Sequence, residues 1–414
     1  MTGLVTGCRS CGGRLAVTMA DLGLQPVSNA FLTSLQAVHG EKRYPLRAKV
    51  CESCKLVQVD YDVAPQELFG DNYVYFSSYS DDWLTHAREY CDMARRRFRL
   101  GAETLVVELA SNDGYLLKNF IDMGVPVLGI DPSDTVAAAA EKIGVPTLVE
   151  FFGAGLAKDL VRDGRQADLI IGNNVLAHVP LLNDFVAGIA LLLKPRGSVT
   201  IEFPHLLELI EQVEFDTIYH EHYSYISLYA IERVFSRHGL RIYDVEQLPT
   251  HGGSLRIFAA HSNRPDLEDS GLLRKVRAQE SAAGLADLGT YLRFAERVES
   301  CRRSLLAFLA EAKREGKTVA GYGAAAKGNT LLNFCGVTPA DVSRVADRNP
   351  HKQSKFLPGT HIPVVSPEAL LQARPDYVLI LPWNLQDEIR RQLQEITQWG
   401  GRFVTPVPEI RIYA

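Results

Sequence analysis

From residue 102 to residue 203 the chain alternates short β-branched or apolar runs with amphipathic stretches, and this alternation restricts the fold more than any other feature. The spacing predicts strands over 104–109, 126–130, 146–149, 168–172 and 197–203, with helices over 114–123, 135–143, 154–162 and 183–193 between them. Strands joined through helices pair in parallel by right-handed crossovers, so the expected fold class is α/β, a doubly wound sheet with helices on both faces. Such sheets bind ligands at the carboxyl ends of their strands. The residues at those ends, Glu108 to Gly114, Asp131, Phe151 and Phe152, Asn173 and Asn174, are therefore the candidate ligand contacts.

Within Thr104–Lys118 a strand breaks on Ser111, Asn112, Asp113 and Gly114 and restarts as a helix, aiming free N–H groups at whatever sits above the strand. The loop reads Ala110-Ser-Asn-Asp-Gly114 instead of G-x-G-x-x-G, which leaves a pyrophosphate little room to approach the backbone. Asp131 ends the next strand, where a carboxylate can accept from both hydroxyls of a ribose; the competing reading is a helix cap at 132–134. A nucleoside without phosphates fits this pair better than a dinucleotide.

A chain of 414 residues is too long for one ordinary core and implies two or three domains. A net charge of −5, with no basic cluster stronger than Arg95–Arg97, argues against binding nucleic acid. The sequence contains no leader pattern and no apolar run approaching about eighteen residues, so neither secretion nor membrane spanning is expected and the cytoplasm is the expected location. No obligate protein partner is evident.

Cys8-x-x-Cys11 and Cys51-x-x-Cys54 form two knuckles in a first unit of residues 1–70. Four thiolates suit tetrahedral zinc and leave no open coordination position, so the metal would be structural. Unligated pairs or a thioredoxin-like redox site are the alternatives. This unit has few large apolar residues of its own, which makes a metal its expected main staple. An aromatic junction follows at 69–80, where Tyr73 or Tyr79 is a candidate to close over a ligand, then an amphipathic helix over 81–99.

Beyond the predicted sheet, Tyr219-His-Glu-His222 packs two histidines and an acid into four residues. Acid–base chemistry is favoured over a metal site at His220 and His222, because alternate residues of an extended segment point to opposite sides. Residues 226–246 read as helix and strand, and His251-Gly-Gly into Phe258 as a glycine-marked turn into an edge strand that lets backbone approach a ligand. Connecting helices are expected over 262–312. A second α/β unit starts at 317, with Gly321-x-Gly323-x-x-Ala326, Lys327, Asn329, Asp347, Arg348 and Asn384 at places where a nucleotide could be held. That loop fits NAD as well as a sugar nucleotide's pyrophosphate, and a degenerate unit that only packs is the third reading.

Val106-Val-Glu-Leu-Ala-Ser-Asn-Asp-Gly-Tyr-Leu116, Asp131, Asp168-Leu-Ile-Ile-Gly-Asn-Asn-Val-Leu-Ala-His-Val179 and Leu192-Leu-Lys-Pro-Arg-Gly197 resemble the motifs of class I S-adenosylmethionine-dependent methyltransferases. Together with the C-x-x-C pairs and Tyr219-His-Glu-His222, nearly the whole chain is similar to sugar C-methyltransferases of deoxysugar pathways. The departure lies in the first loop, where Asn112-Asp113 replaces the usual second glycine region. The resemblance implies S-adenosylmethionine as cofactor, structural zinc at Cys8, Cys11, Cys51 and Cys54, and methylation at C-3 of a dTDP-linked 4-keto-deoxysugar for an antibiotic. It also implies His222 as catalytic base, Tyr219 and Glu221 as active-site partners, and His178 facing them. The expected division is 1–70 for zinc, 71–260 for the cofactor and 261–414 for connecting helices and a Rossmann-like unit. An O- or N-methyltransferase, an NAD-linked oxidoreductase using 321–326, and a non-catalytic nucleotide sensor are the alternatives.

Overall fold

The structure is a computed structural model that describes residues 3–34, 40–68, 78 and 81–413; Tyr73 and Tyr79 lie outside the described residues. A seven-stranded sheet forms its centre, in the order Leu240–Leu248, Ser254–His261, Leu193–Pro204, Ala167–Asn173, Val106–Leu109, Val127–Ile130, Thr147–Leu148. The five strands from 106 to 204 run parallel, and Ser254–His261 is antiparallel to both its neighbours. The alternation in the sequence is therefore a doubly wound sheet, as expected from its period. Helices Leu117–Asp122, Asp134–Lys142, Ala154–Arg162 and Leu182–Leu192 connect those five strands.

Two expectations shift. The first connecting helix starts at Leu117 and not at 114, because Ala110, Asn112 and Gly114 all take left-handed φ (56°, 49° and 76°) and coil the intervening residues. Ser254–His261 is not an edge strand. It is inserted between Leu193–Pro204 and Leu240–Leu248, and seven of its eight residues are buried.

The cysteine-bearing segment forms a four-stranded sheet from Leu15–Gln25, Tyr44–Cys51, Val57–Val59 and, from far along the chain, Ser224–Tyr225. Met19, Leu46, Val50, Val57 and Val59 are fully buried there, in a core continuous with Phe215, Tyr291, Phe294, Leu305 and Leu331. The unit is thus not held by metal alone, as its few large side chains suggested. It borrows apolar surface from the middle and end of the chain, which offsets a small core of its own.

Helix Leu288–Arg314 supplies much of that shared surface and leads into a six-stranded sheet ordered Val364–Val365, Val345–Ala346, Val319–Tyr322, Tyr377–Ile380, Arg402–Thr405, Arg411–Tyr413. All of its pairings are parallel except the last. No helix among the described residues is long and apolar enough to cross a membrane.

Candidate active site

The carboxyl edge of the central sheet carries an acceptor-rich cleft. Glu108 is 1% exposed near the end of the first strand; burial, then the charges of Asp131 and Asp113, push its carboxyl well above the usual range. Asp131 accepts from the backbone N–H of Asn112 (2.9 Å) and of Ser133 (3.0 Å), so it straps the loop after the first strand to the start of the next helix. Asp131 thus holds the N-cap residue Ser133 without capping the first turn of the helix itself, and each carboxylate oxygen keeps a second lone pair. Gly114 is glycine for local reasons: its φ is 76° and a Cβ would lie 2.9 Å from Val145 and 3.2 Å from Ala140.

Glu108 Oε2, Asp113 Oδ1, Asn173 Oδ1 and Asn174 Oδ1 are buried without a hydrogen-bond partner among the described residues. Orphaned acceptors call for a ligand that brings donors or positive charge. S-adenosylmethionine brings an ammonium, a sulfonium and two ribose hydroxyls, so the residues present fit that group. They do not fit a phosphate. Phe151, 71% exposed after the third strand, remains open to a ligand. Phe152 instead packs edge-on to Phe185 at 5.4 Å in the interior, so the structure gives it a packing role where the sequence suggested a cofactor contact.

Tyr219-His-Glu-His222 follows a short 3-10 turn, Phe215–Thr217, and faces the same edge. His222 Nδ1 donates to the Thr217 carbonyl at 3.1 Å, which fixes Nε2 as the acceptor; the Tyr219 hydroxyl donates to it at 2.9 Å. Burial first, then His178, hold the His222 pKa well below that of an ordinary imidazole, so it is neutral and not poised near 7 as expected of an ideal base. The His178 ring lies 4.7 Å from that of His222, and its Nδ1 donates to the Glu221 carbonyl at 2.8 Å. Burial lowers His178 to about 4, so it too is neutral, with Nε2 as an acceptor. In this tautomer His178 has no N–H to donate from Nε2. Glu221 is also recast: its carbonyl orients His178, while its carboxyl accepts from Asn29 Nδ2 at 3.1 Å and is pushed up to about 7 by burial. His220 turns away toward the Pro45 carbonyl, so the two histidines form no metal pair.

The four residues expected to hold the sugar nucleotide do not form one cluster. Lys327 Nζ donates to Asn384 Oδ1 at 2.8 Å, sits 4.4 Å above the Trp383 ring, and lies near enough to His222 for its charge to depress that imidazole. Trp383 Nε1 donates to Asp216 at 2.8 Å. Trp383 thus stitches the C-terminal unit onto the segment that leads to His222. Asn329 instead donates to the Ser28 carbonyl (2.6 Å), and Arg348 is exposed. The glycine fingerprint has a packing cause, because a Cβ on Gly323 would lie 2.4 Å from Pro382. Asp347 accepts from Ala324 and Asn349 N–H groups at 2.8 Å each, repeating the strap made by Asp131.

Sequence reasoning missed a buried ion cluster beside the cleft. Glu202 accepts from Arg256 (2.7 Å), the Thr250 hydroxyl (3.0 Å) and His86 (2.9 Å), and Arg256 also reaches Glu246 at 2.7 Å. The available signal was a charged residue inside each of two apolar strands, Ser198–Phe203 and Ser254–Phe258.

The Sγ atoms of Cys8, Cys11, Cys51 and Cys54 all lie within 4.8 Å of one another, with Cys8–Cys54 at 3.5 Å and Cys11–Cys51 at 3.4 Å. A tetrahedron with Zn–S bonds of about 2.3 Å needs sulfurs about 3.8 Å apart, so the four thiolates fit zinc and are too far apart for disulfides. The knuckle also docks on the central α/β unit. Asn183 donates to the Arg9 and Ser10 carbonyls (2.9 and 2.8 Å), and Arg9 donates to the Pro180 carbonyl at 3.2 Å.

Family comparisons match three segments: a zinc binding domain over residues 8–69, a methyltransferase domain over 83–245 and a C-methyltransferase C-terminal domain over 249–408. C-methyltransferase NovU of Streptomyces niveus is 36% identical over 405 residues, covering 98% of this chain and 96% of that protein. A ubiquinone biosynthesis O-methyltransferase of Rhodopseudomonas palustris is 26% identical over 117 residues, 27% of this chain and 46% of that protein. Among solved structures, the PH0226 protein of Pyrococcus horikoshii OT3 has a TM-score of 0.38 at 17% identity, covering 48% of this chain and 96% of that one. A cleft suited to a sulfonium nucleoside, a four-thiolate zinc site and end-to-end similarity lead to one conclusion: the chain belongs to the S-adenosylmethionine-dependent C-methyltransferases.

Proposed function

We propose that the chain methylates C-3 of a dTDP-linked 4-keto-deoxysugar, in the making of a branched sugar for an antibiotic, with His222 as the base. The observation that supports this reading is the fixed tautomer of His222, which leaves Nε2 as an acceptor beside the His178 ring. When bound, S-adenosylmethionine supplies an activated methyl group. Everything else falls to the chain. A hydrogen beside a ketone is acidic because the charge spreads to the carbonyl oxygen, and His222 Nε2 removes it. The arriving sugar displaces the Tyr219 hydroxyl from Nε2, and that O–H turns to donate to the enolate oxygen. His178, fixed by the Glu221 carbonyl, packs against His222 and holds it in place. Residues 71–260 do this chemistry. The unit from 261, through Lys327 and Asn384, holds the nucleotide-linked acceptor against it, and 1–70 braces both. We propose Tyr73 as an active-site partner and the cytoplasm as the location.

A 4-ketone acidifies hydrogens on both C-3 and C-5, so regiochemistry is open to direct test. Incubation of dTDP-4-keto-6-deoxyglucose with the protein in D2O should exchange the C-3 hydrogen. His222→Asn should lower exchange and turnover at least about 100-fold while leaving cofactor affinity within about threefold. Full activity in that variant places the base elsewhere; exchange at C-5 alone overturns the C-3 assignment but not the chemistry.

A further inference from the structure

The reaction calls for a second hydrogen-bond donor beside the Tyr219 hydroxyl. Burial leaves His222 a weak base, and His178 presents an acceptor. A weak base removes a carbon-bound proton at useful rates only if the developing enolate oxygen is strongly stabilised by preorganised donors.

His251 stands at the cleft with an available donor and a clamped backbone. It takes φ 57°, ψ 21°, the left-handed region that disfavours any residue with a Cβ, and it is followed by Gly252 and Gly253 at φ 96° and 134°. This turn cannot relax. A Cβ on Gly252 would lie 2.2 Å from Glu214 and 2.9 Å from Trp383, and one on Gly253 2.5 Å from Glu208. The preceding Thr250 is bonded to Glu202, itself held by Arg256 and His86. Strain kept by a surrounding framework is a signature of functional positions.

The imidazole is solvent-exposed but bordered on several sides. Asn174, at the end of the fourth strand, donates from Nδ2 to His251 Nε2 at 3.1 Å, and the edge of Trp83 lies 5.5 Å away between centroids. That bond places the ring proton on Nδ1, which has no hydrogen-bond partner among the described residues. Lys327 lies near enough for its charge to act on both His251 and His222, so the two imidazoles border one space. Desolvation by the atoms packed around the ring, then the Lys327 charge, lower His251 to about 4 and keep it neutral although part of the residue is open to solvent, which makes it a fixed N–H donor and not a second acid.

We propose that His251 is a catalytic donor, whose Nδ1–H bonds the ketone oxygen of the acceptor and stabilises the negative charge formed there as His222 takes the neighbouring proton. The electron pair of the broken C–H bond moves onto that oxygen and returns to carbon as the C–CH3 bond forms. This rests on the reading of function given above.

The test uses the full-length, zinc-loaded protein and dTDP-4-keto-6-deoxyglucose. His251→Gly removes the imidazole and relieves the left-handed backbone, so its melting temperature should equal or exceed that of the wild type. Its hydrogen–deuterium exchange and kcat should fall about 100- to 1000-fold, with a smaller change in KM and with S-adenosylmethionine affinity within about threefold. His251→Asn, which tolerates the same backbone and keeps an N–H donor, should recover part of the loss. Exchange in His251→Gly within about threefold of wild type overturns the proposal, as does a loss that tracks a lower melting temperature or weaker cofactor binding. If wild type exchanges and His222→Asn does not while His251→Gly does, His251 alone is misassigned. If wild type exchanges no hydrogen, the ketone-and-base reading itself fails and this assignment with it.

Discussion

Arg256 holds together the buried ion cluster beside the cleft. Its guanidinium is 4% exposed, neutralises Glu202, and lies over the Tyr90 ring at 4.6 Å. Removing one member of a buried ion pair leaves the other as an uncompensated charge, at about 3–5 kcal/mol, whereas replacing both by apolar groups is often neutral. Arg256→Ala should therefore lose about that much stability in urea unfolding. Glu202→Leu combined with Arg256→Met should recover most of it while leaving Thr250 unanchored. The two residues were visible as charges in apolar strands, but the 54 positions between them hid the pairing. The run of ionisable residues at 219–222 was visible by type and spacing. The tautomer and lowered basicity of His222 were not, because the Thr217 carbonyl and the degree of burial are products of the folded turn.

At the scale of elements, the loop after the first strand has the backbone of a glycine loop without its glycines. Ala110 sits at φ 56°, which costs roughly 1–2 kcal/mol in a residue with a Cβ. Ala110→Gly should be neutral or stabilising by up to about 1 kcal/mol, the entropy of glycine offsetting part of the relief. Gly114→Ala should cost about 1–3 kcal/mol and weaken S-adenosylmethionine binding, because its Cβ would displace Val145 and shift the loop that Asp131 straps. Thermal melts and calorimetric titration check both. The zinc knuckles show a second coupling between elements. Arg9 and Ser10 hold the segment 180–183 that follows His178, so chelation of the zinc should lower the melting temperature by several degrees, expose 8–14 and 51–56 to protease, and reduce turnover. The core that sheet shares with helix Leu288–Arg314 should persist, so complete unfolding on chelation contradicts this account.

Across the whole molecule the buried titratable groups fall into two opposed sets. Burial lowers His178 and His220 to about 4, so the unfolded chain binds more protons below about pH 6.5 and these groups make stability rise with pH up to that point. Burial raises Glu221 to about 7 and Glu214 to about 8, so the folded chain binds more protons and these groups make stability fall as pH rises through those values. Below about pH 6.5 the two slopes oppose each other. Above it only the carboxyl set remains, and stability should decline between about pH 6.5 and 8 by on the order of 2 kcal/mol. Urea midpoints across that range measure it, and Glu214→Gln should flatten the curve.

The sequence by itself determined the doubly wound sheet, the four-cysteine site and the loops at the carboxyl ends of the strands. Each of these is written in local signals: a strand–helix period, a C-x-x-C spacing, turn residues after apolar runs. Only the tertiary structure decided which distant groups meet. It placed Ser254–His261 inside the sheet, gave Phe152 and Gly323 packing duties, separated Asn329 and Arg348 from Lys327, and brought His251, Asn174 and Lys327 to one space. The reason is physical: periodicity and turn chemistry act over a few residues, whereas burial and charge pairing depend on what three separately wound units press together.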